Sequence, residues 1–191
     1  VFFLGGCTPP GARALLEGDR LTRQGKYAQA VEKLKAATQL LPEESQARAW
    51  NHLGLAHQGA RQENEAIAAY RQALQRNPNL AAVRYNLGCL FLEQNKLPEA
   101  ISELSSFTVL DRNSVPGWLR LATAQLRYHQ WDAAERSYLT ALQFDAASAE
   151  ALNGLAILRV QKKNLREATQ YLNLALQRQS NYPPALLNLA V

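Results

Sequence analysis

Residues 50–78 read WNHLGLAHQGARQENEAIAAYRQALQRNP, and the placement of Trp50, Leu53, Gly54, Ala66, Tyr70 and Pro78 within them decides the fold. The stretch supplies a helix of about 13 residues, a polar turn (RQEN) and a second helix closed by a proline. Sliding the chain by 34 residues aligns Gly54 with Gly88, Ala122, Ala156 and Ala190, and a backward shift of 36 reaches Gly18. The same register stacks Leu53, Leu87, Leu121, Leu155 and Leu189, and also Ala30, Ala66, Ala100, Ala134 and Ala168. Five full repeats follow, at 11–44, 47–80, 81–114, 115–148 and 149–182, with the start of a sixth at 183–191. Two extra residues fall in the connection after Pro42.

These columns resemble the tetratricopeptide repeat (TPR), whose pattern is W-x2-L-G-x2-Y, then A-x3-F, then P, with His57 and Tyr70 standing for two of its aromatic positions. The resemblance implies an all-α fold, a right-handed α-solenoid of TPR helix hairpins. One hairpin cannot bury its own apolar faces, so neighbouring repeats must cover each other. The small Gly and Ala columns are expected where two helix backbones come nearest. The larger residues Leu34, Tyr70, Leu104, Tyr138 and Leu172 fill the space between helices, each contributing roughly 1.5 to 3 kcal/mol on full burial.

Composition agrees. The chain is 47% hydrophobic and 19% charged, within the range of folding sequences. Its abundant Ala, Leu and Gln favour helix over strand. The net charge of +5 comes from 21 basic residues interleaved with 16 acidic ones, without a basic run, so a solvated helical surface is expected rather than nucleic-acid binding. Two cysteines, Cys7 in the N-terminal stub and Cys89 inside a helical pattern, do not make a disulfide framework.

Departures from the columns carry expectations of their own. Glu17 occupies the Leu column of the first repeat, as in a cap whose outer face meets water. Phe107 replaces the Ala of Ala37, Ala73, Ala141 and Ala175, either filling a local gap, the favoured reading, or altering the angle between repeats. Pro42 and Pro78 give way to Arg112, Ala146 and Ser180, which weakens the later helix stops. The sixth repeat, YPPALLNLAV, is read as a first helix without its partner and so as part of something longer.

Residues 1–10 read as a truncated signal remnant, a lipobox and a tether before the solenoid of 11–191. Val1–Leu4 are too short for a signal core, and the chain contains no methionine. Leu4, Gly5, Gly6 and Cys7 resemble a bacterial lipobox, which implies a lipidated Cys7 as the mature first residue. More than one acyl chain would anchor stably where a single chain binds marginally. Thr8, Pro9, Pro10 and Gly11 then form a short stiff tether.

Catalytic signatures are missing from the sequence: no phosphate-cradling glycine motif, HExxH, CxxC or G-x-S-x-G occurs, and neither a cofactor, a metal nor a small-molecule substrate is expected. His52 and His57 are five apart, wrong for a metal pair on one helix, and His129 falls in the turn QLRYHQW. Trp50, Trp118 and Trp131 are read as packing residues, and Cys89 as a small buried or groove-facing thiol rather than a nucleophile.

In the proteins this sequence resembles, the first helix of each repeat lines a concave groove for peptides or helices. Carried through the register, the resemblance assigns the groove to Asn51, Leu55 and Gln58; Tyr85, Cys89 and Leu92; Leu119, Thr123 and Leu126; and Asn153, Ile157 and Val160. The carboxylate clamp of chaperone-binding members is not reproduced: Asn86 and Arg120 are suitably placed, but Leu55 and Pro116 break the set. An asparagine ladder is not reproduced either, because that column reads Leu16, His52, Asn86, Arg120, Gly154 and Asn188. The remaining groove suits an amphipathic helix or an apolar extended segment, with Tyr85 as anchor.

The expected function is a non-catalytic protein–protein interaction scaffold, a membrane-anchored TPR lipoprotein that recruits partners to a bacterial envelope assembly and faces the periplasm. The alternatives are the recognition arm of a larger enzyme, such as a glycosyltransferase or peptidase, and a cytoplasmic protein. A cytosolic co-chaperone is disfavoured by the broken clamp.

Overall fold

A computed structural model describes residues 8–189, and the lipobox residue Cys7 lies outside them. The described residues form eleven α-helices and no strand. They divide into two compact units, the first ending at Val83 and the second beginning at Arg84.

The first unit contains α1 (Pro10–Arg23), α2 (Tyr27–Leu40), α3 (Glu43–Gly59) and α4 (Glu63–Arg76). Its core gathers Leu21, Leu34 and Leu53 with Ala30, Ala56 and Ala69. The residues after Pro42, read above as a connection, are helical instead: α3 starts at Glu43 and runs for 17 residues. Pro42 is tolerated immediately before the first turn, where its missing N–H costs nothing, and Glu43 and Glu44 complement the positive helix end.

The second unit holds most of α5 (Ala81–Glu93), then α6 (Leu97–Leu110), α7 (Val115–Arg127), α8 (Trp131–Phe144), α9 (Ala149–Gln161), α10 (Leu165–Arg178) and α11 (Pro183–Leu189). Tyr138, Leu119, Leu155 and Leu158 centre one core cluster, and Leu152, Ala156 and Leu172 centre another. Side-chain caps start three of the helices: Ser114 accepts from Gly117 N, Ser148 from Ala151 N and Asn164 from Glu167 N. Loss of proline does not blur the end of α8, because Asp145 just beyond it accepts from Ala147 N at 3.0 Å and turns the chain.

Every repeat turns in the same way. Gly25, Arg61, Asn95, His129 and Lys163 all adopt positive φ, between 58° and 73°. In each case the next residue donates back across the helix end, as Gln62 N does to His57 O at 2.9 Å and Asn164 N to Arg159 O at 2.8 Å. This is the Schellman closure, which glycine enters without strain and arginine, histidine or lysine only at a cost.

The glycines of the small columns face large side chains first, and at Gly88 the backbone nitrogen of Leu104 is also close, 3.3 Å from where a Cβ would be. A Cβ added at Gly18 would strike the Leu34 side chain, at Gly54 the Tyr70 ring and at Gly88 the Leu104 side chain. Each glycine is therefore a socket for the large residue of the partner helix. Where Gly54 stands in the second repeat, the fourth has Ala122, buried in one cluster with Tyr138, and the Tyr138 ring also lies over Gly154, within 2.3 Å of where a Cβ would be.

Phe107 fills a gap, and the structure shows which one. A Cβ on Gly117 would lie 2.2 Å from Phe107 Cε1. The register-equivalent pairs are Ala37 with Ala49, Ala73 with Val83, Ala141 with Ala151 and Ala175 with Ala185, all buried. The larger residue on α6 is thus matched by the loss of a side chain on α7.

Candidate functional site

The residues assigned to the first-helix face fall into two groups. Asn51, Leu55 and Gln58 on α3 are half-buried, and Gln58 Oε1 accepts from the Tyr70 hydroxyl at 2.9 Å. In the second unit Tyr85 and Cys89 on α5, Thr123 and Leu126 on α7 and Ile157 on α9 are half-buried, and Val160 is exposed. Three assigned residues lie deeper. Leu92, Leu119 and Asn153 are buried, at 6%, 7% and 7% exposure, and offer little to a ligand. Leu119 belongs to the Tyr138 core, and Asn153 Oδ1 accepts from Asn188 Nδ2 at 2.8 Å.

Tyr85 and Cys89 of α5 lie within electrostatic reach of each other and of Arg120 of α7. The Tyr85 ring rests on Phe107, with centroids 5.0 Å apart and planes tilted by 54°. Burial pushes both the Tyr85 hydroxyl and the Cys89 thiol above their ordinary values, so each stays protonated at neutral pH. A protonated thiol is a poor nucleophile. The cluster therefore offers a cation, a phenol and an aromatic face, groups that can hold a carboxylate or carbonyl.

Tetratricopeptide-repeat family models match residues 47–80, residues 69–102, and residues 15–63 together with 119–183. The last covers more than half of the chain. The chain belongs to the tetratricopeptide-repeat family.

Solved TPR structures share the fold. YrrB, described as a TPR protein with an unusual peptide-binding site, superposes with a TM-score of 0.83 at 17% identity, covering 93% of this chain and 91% of its own. MamA from Desulfovibrio magneticus RS-1 superposes with a TM-score of 0.82 at 15% identity, covering 90% and 96%. Among curated sequences, the Hsp70-Hsp90 organizing protein of Triticum aestivum is 26% identical over 108 residues, 56% of this chain and 19% of that protein. The U-box domain-containing protein 70 of Oryza sativa subsp. japonica is 30% identical over 91 residues, 48% of this chain and 11% of that protein. The chain thus spans a fifth or less of these relatives. Family and fold together make it a TPR interaction scaffold.

Several other polar groups of the TPR array make local structural contacts. His57 Nδ1 meets Gln62 Oε1 at 2.7 Å, closing its turn, and His129 packs edge-on to Trp131 at 4.8 Å. His52 Nδ1 pairs with Asp19 Oδ1 at 3.2 Å while burial lowers its pKa. No cluster of three or more metal-ligating side chains occurs among the described residues. Arg159 ties three helices together through Glu135 of α8 and Glu167 of α10, and Lys162 adds a bond to Glu135 at 2.9 Å. No helix among the described residues is long and apolar enough to cross a membrane.

Sequence reasoning placed Tyr85 and Cys89 on the site but treated Arg120 only as part of a broken clamp. The missed signal was the pair Phe107 and Gly117. Phe in the Ala column of Ala37, Ala73, Ala141 and Ala175, together with Gly in the column of Ala49, Val83, Ala151 and Ala185, announces a local rearrangement, and Phe107 is what carries the Tyr85 ring.

Proposed function

We propose that this TPR scaffold binds a partner segment along the first-helix face of its second unit, with Tyr85 and Arg120 as anchors. The observation that carries the reading is the Tyr85–Cys89–Arg120 cluster seated on Phe107. Thr123, Leu126, Ile157 and Val160 extend it as a mainly apolar strip on α7 and α9. Such a face suits a helix or extended peptide with an apolar side and an acceptor for Arg120. The scaffold itself does no chemistry.

The N-terminal sequence supports a second part of the proposal: Cys7 is lipidated, and the array is held on a bacterial membrane facing the periplasm, where it recruits partners to an envelope assembly. The test has two arms. Arg120→Glu with Tyr85→Ala is expected to abolish partner recovery after in-cell crosslinking while the circular dichroism spectrum is retained. Cys7→Ser is expected to move the protein from the membrane to the soluble fraction and remove an acyl mass. Retained crosslinking refutes the first part, and an unchanged mass and membrane fraction refutes the second. The length of the curated relatives favours one further reading, in which the array is the recognition arm of a larger protein.

A further inference from the structure

Three departures from the repeat columns meet at one point of the second unit. The first-helix column that elsewhere reads Leu15, Asn51, Leu119, Asn153 and Leu187 holds Tyr85 on α5. The column of Ala37, Ala73, Ala141 and Ala175 holds Phe107 on α6, and the column of Ala49, Val83, Ala151 and Ala185 holds Gly117 on α7. In the fold these three are neighbours. The buried Phe107 ring packs on the Tyr85 ring, with centroids 5.0 Å apart, and closes over Gly117, where a Cβ would lie 2.2 Å from its Cε1. Arg120 follows Gly117 by one helical turn on α7.

Packing alone does not call for this exchange. The eight residues of the four register-equivalent pairs are each 0% exposed, so small side chains close the contact completely, whereas Phe107 keeps 6% exposure. Glycine in place of alanine also lowers the helix propensity of α7. What the exchange adds is an aromatic ring that reaches Tyr85, which a methyl group at position 107 does not supply. A local rule broken without a gain in packing marks a functional position.

We propose that Phe107 and Gly117 are a positioning pair for the partner-binding face: the Phe107 ring holds the Tyr85 ring in place beside Arg120, and the missing side chain of Gly117 is what admits it. This rests on the reading of Tyr85 and Arg120 as anchors and adds the residues that set where Tyr85 stands. Of the five full repeats the third alone has an aromatic residue at this place on its second helix, so the anchor is confined to that repeat.

Cys89, one turn beyond Tyr85 on α5, reports the position of the ring. In the purified chain carrying Cys7→Ser, which leaves Cys89 as the sole thiol, modification by dithiobis(nitrobenzoate) is timed with and without Phe107→Ala plus Gly117→Ala, the pairing that Ala141 makes with Ala151. A Tyr85 ring released from its support uncovers the thiol, and the rate is expected to rise about threefold or more, since thiol reactivity follows access. Phe107→Leu, which keeps the bulk, is expected to hold the parent rate. Leu172→Ala, a buried-core change outside the cluster, is expected to leave the rate unchanged although it lowers stability, which separates loss of the support from general loosening. In the source cells, a photoreactive residue at Leu126 is expected to lose its partner adduct in the double alanine variant and to keep it with Phe107→Leu. An unchanged thiol rate in the double variant, an equal rise with Leu172→Ala, or an adduct that persists in the double variant overturns the proposal. A parent chain that gives no adduct refutes the partner reading instead, and the thiol rates then decide the positioning claim.

Discussion

Exchanging the Phe107 and Gly117 pair for two alanines tests the packing logic of the repeats at one point. Phe107→Ala removes a ring that is 6% exposed, and a change of this kind costs about 3 to 5 kcal/mol. Gly117→Ala alone places a methyl 2.2 Å from Phe107 Cε1 on one side of the ring, with Cδ1 at 2.7 Å. The ring must move, at about 1 to 3 kcal/mol of overpacking, partly offset by about 1 kcal/mol of helix propensity. In the double variant the clash is gone, the propensity gain remains and the methyl refills part of the void. The site then matches Ala141 with Ala151, which pack fully buried in one cluster. The double variant should therefore be more stable than Phe107→Ala by about 1 kcal/mol, although Gly117→Ala destabilises the parent. Urea unfolding followed by circular dichroism on the four proteins measures the coupling. Additive free energies, with Gly117→Ala equally harmful in both backgrounds, refute the reasoning.

Other outcomes follow from the same structure. Arg61→Gly and Lys163→Gly should each stabilise by about 0.5 to 1 kcal/mol, since φ near 59° suits glycine; unchanged thermal midpoints would contradict this. Gly154→Ala should cost about 1 to 3 kcal/mol, because its methyl would enter the Tyr138 ring, and Tyr138→Leu in the same chain should relieve part of that loss in chemical denaturation. The Arg159 and Lys162 bonds lower the Glu135 carboxyl to about 2. A lowered folded pKa means that the unfolded state takes up the proton first. Stability is then present above about pH 4.5 and falls toward pH 2, by about 1 to 2 kcal/mol after allowing for solvent screening, and Glu135→Gln should flatten that limb of the pH–stability curve. At the alkaline end, burial raises Tyr138 to about 12, so its contribution is intact below pH 10 and is lost as pH climbs through 12; Tyr138→Phe should flatten that limb.

The helices were legible because each repeat restates the same message. A 34-residue period in Leu, Ala and Gly survives local noise, and the turns at QGKY, RQEN, QNKL and KKNL each place their positive-φ residue in register. Pairwise packing was less legible. A glycine column states that something large lies opposite, but that Tyr138 also meets Gly154 of the following repeat depends on which neighbour leaves room, and a single-column reading does not show that. The same limit applied to the site. Tyr85 and Cys89 were placed by register, whereas burial of Leu92, Leu119 and Asn153 depends on how neighbouring helices close over them.

Residue-resolved crosslinking on the second unit tests the central claim most directly. A photoreactive amino acid placed at Leu126 or at Ile157, and at the exposed Phe144 at the end of α8 as control, is irradiated in the source cells. A shared adduct from positions 126 and 157 is predicted, absent from 144 and lost when Arg120→Glu is added. Adducts that form equally at 144, or that persist with Arg120→Glu, would contradict partner binding along the first-helix face.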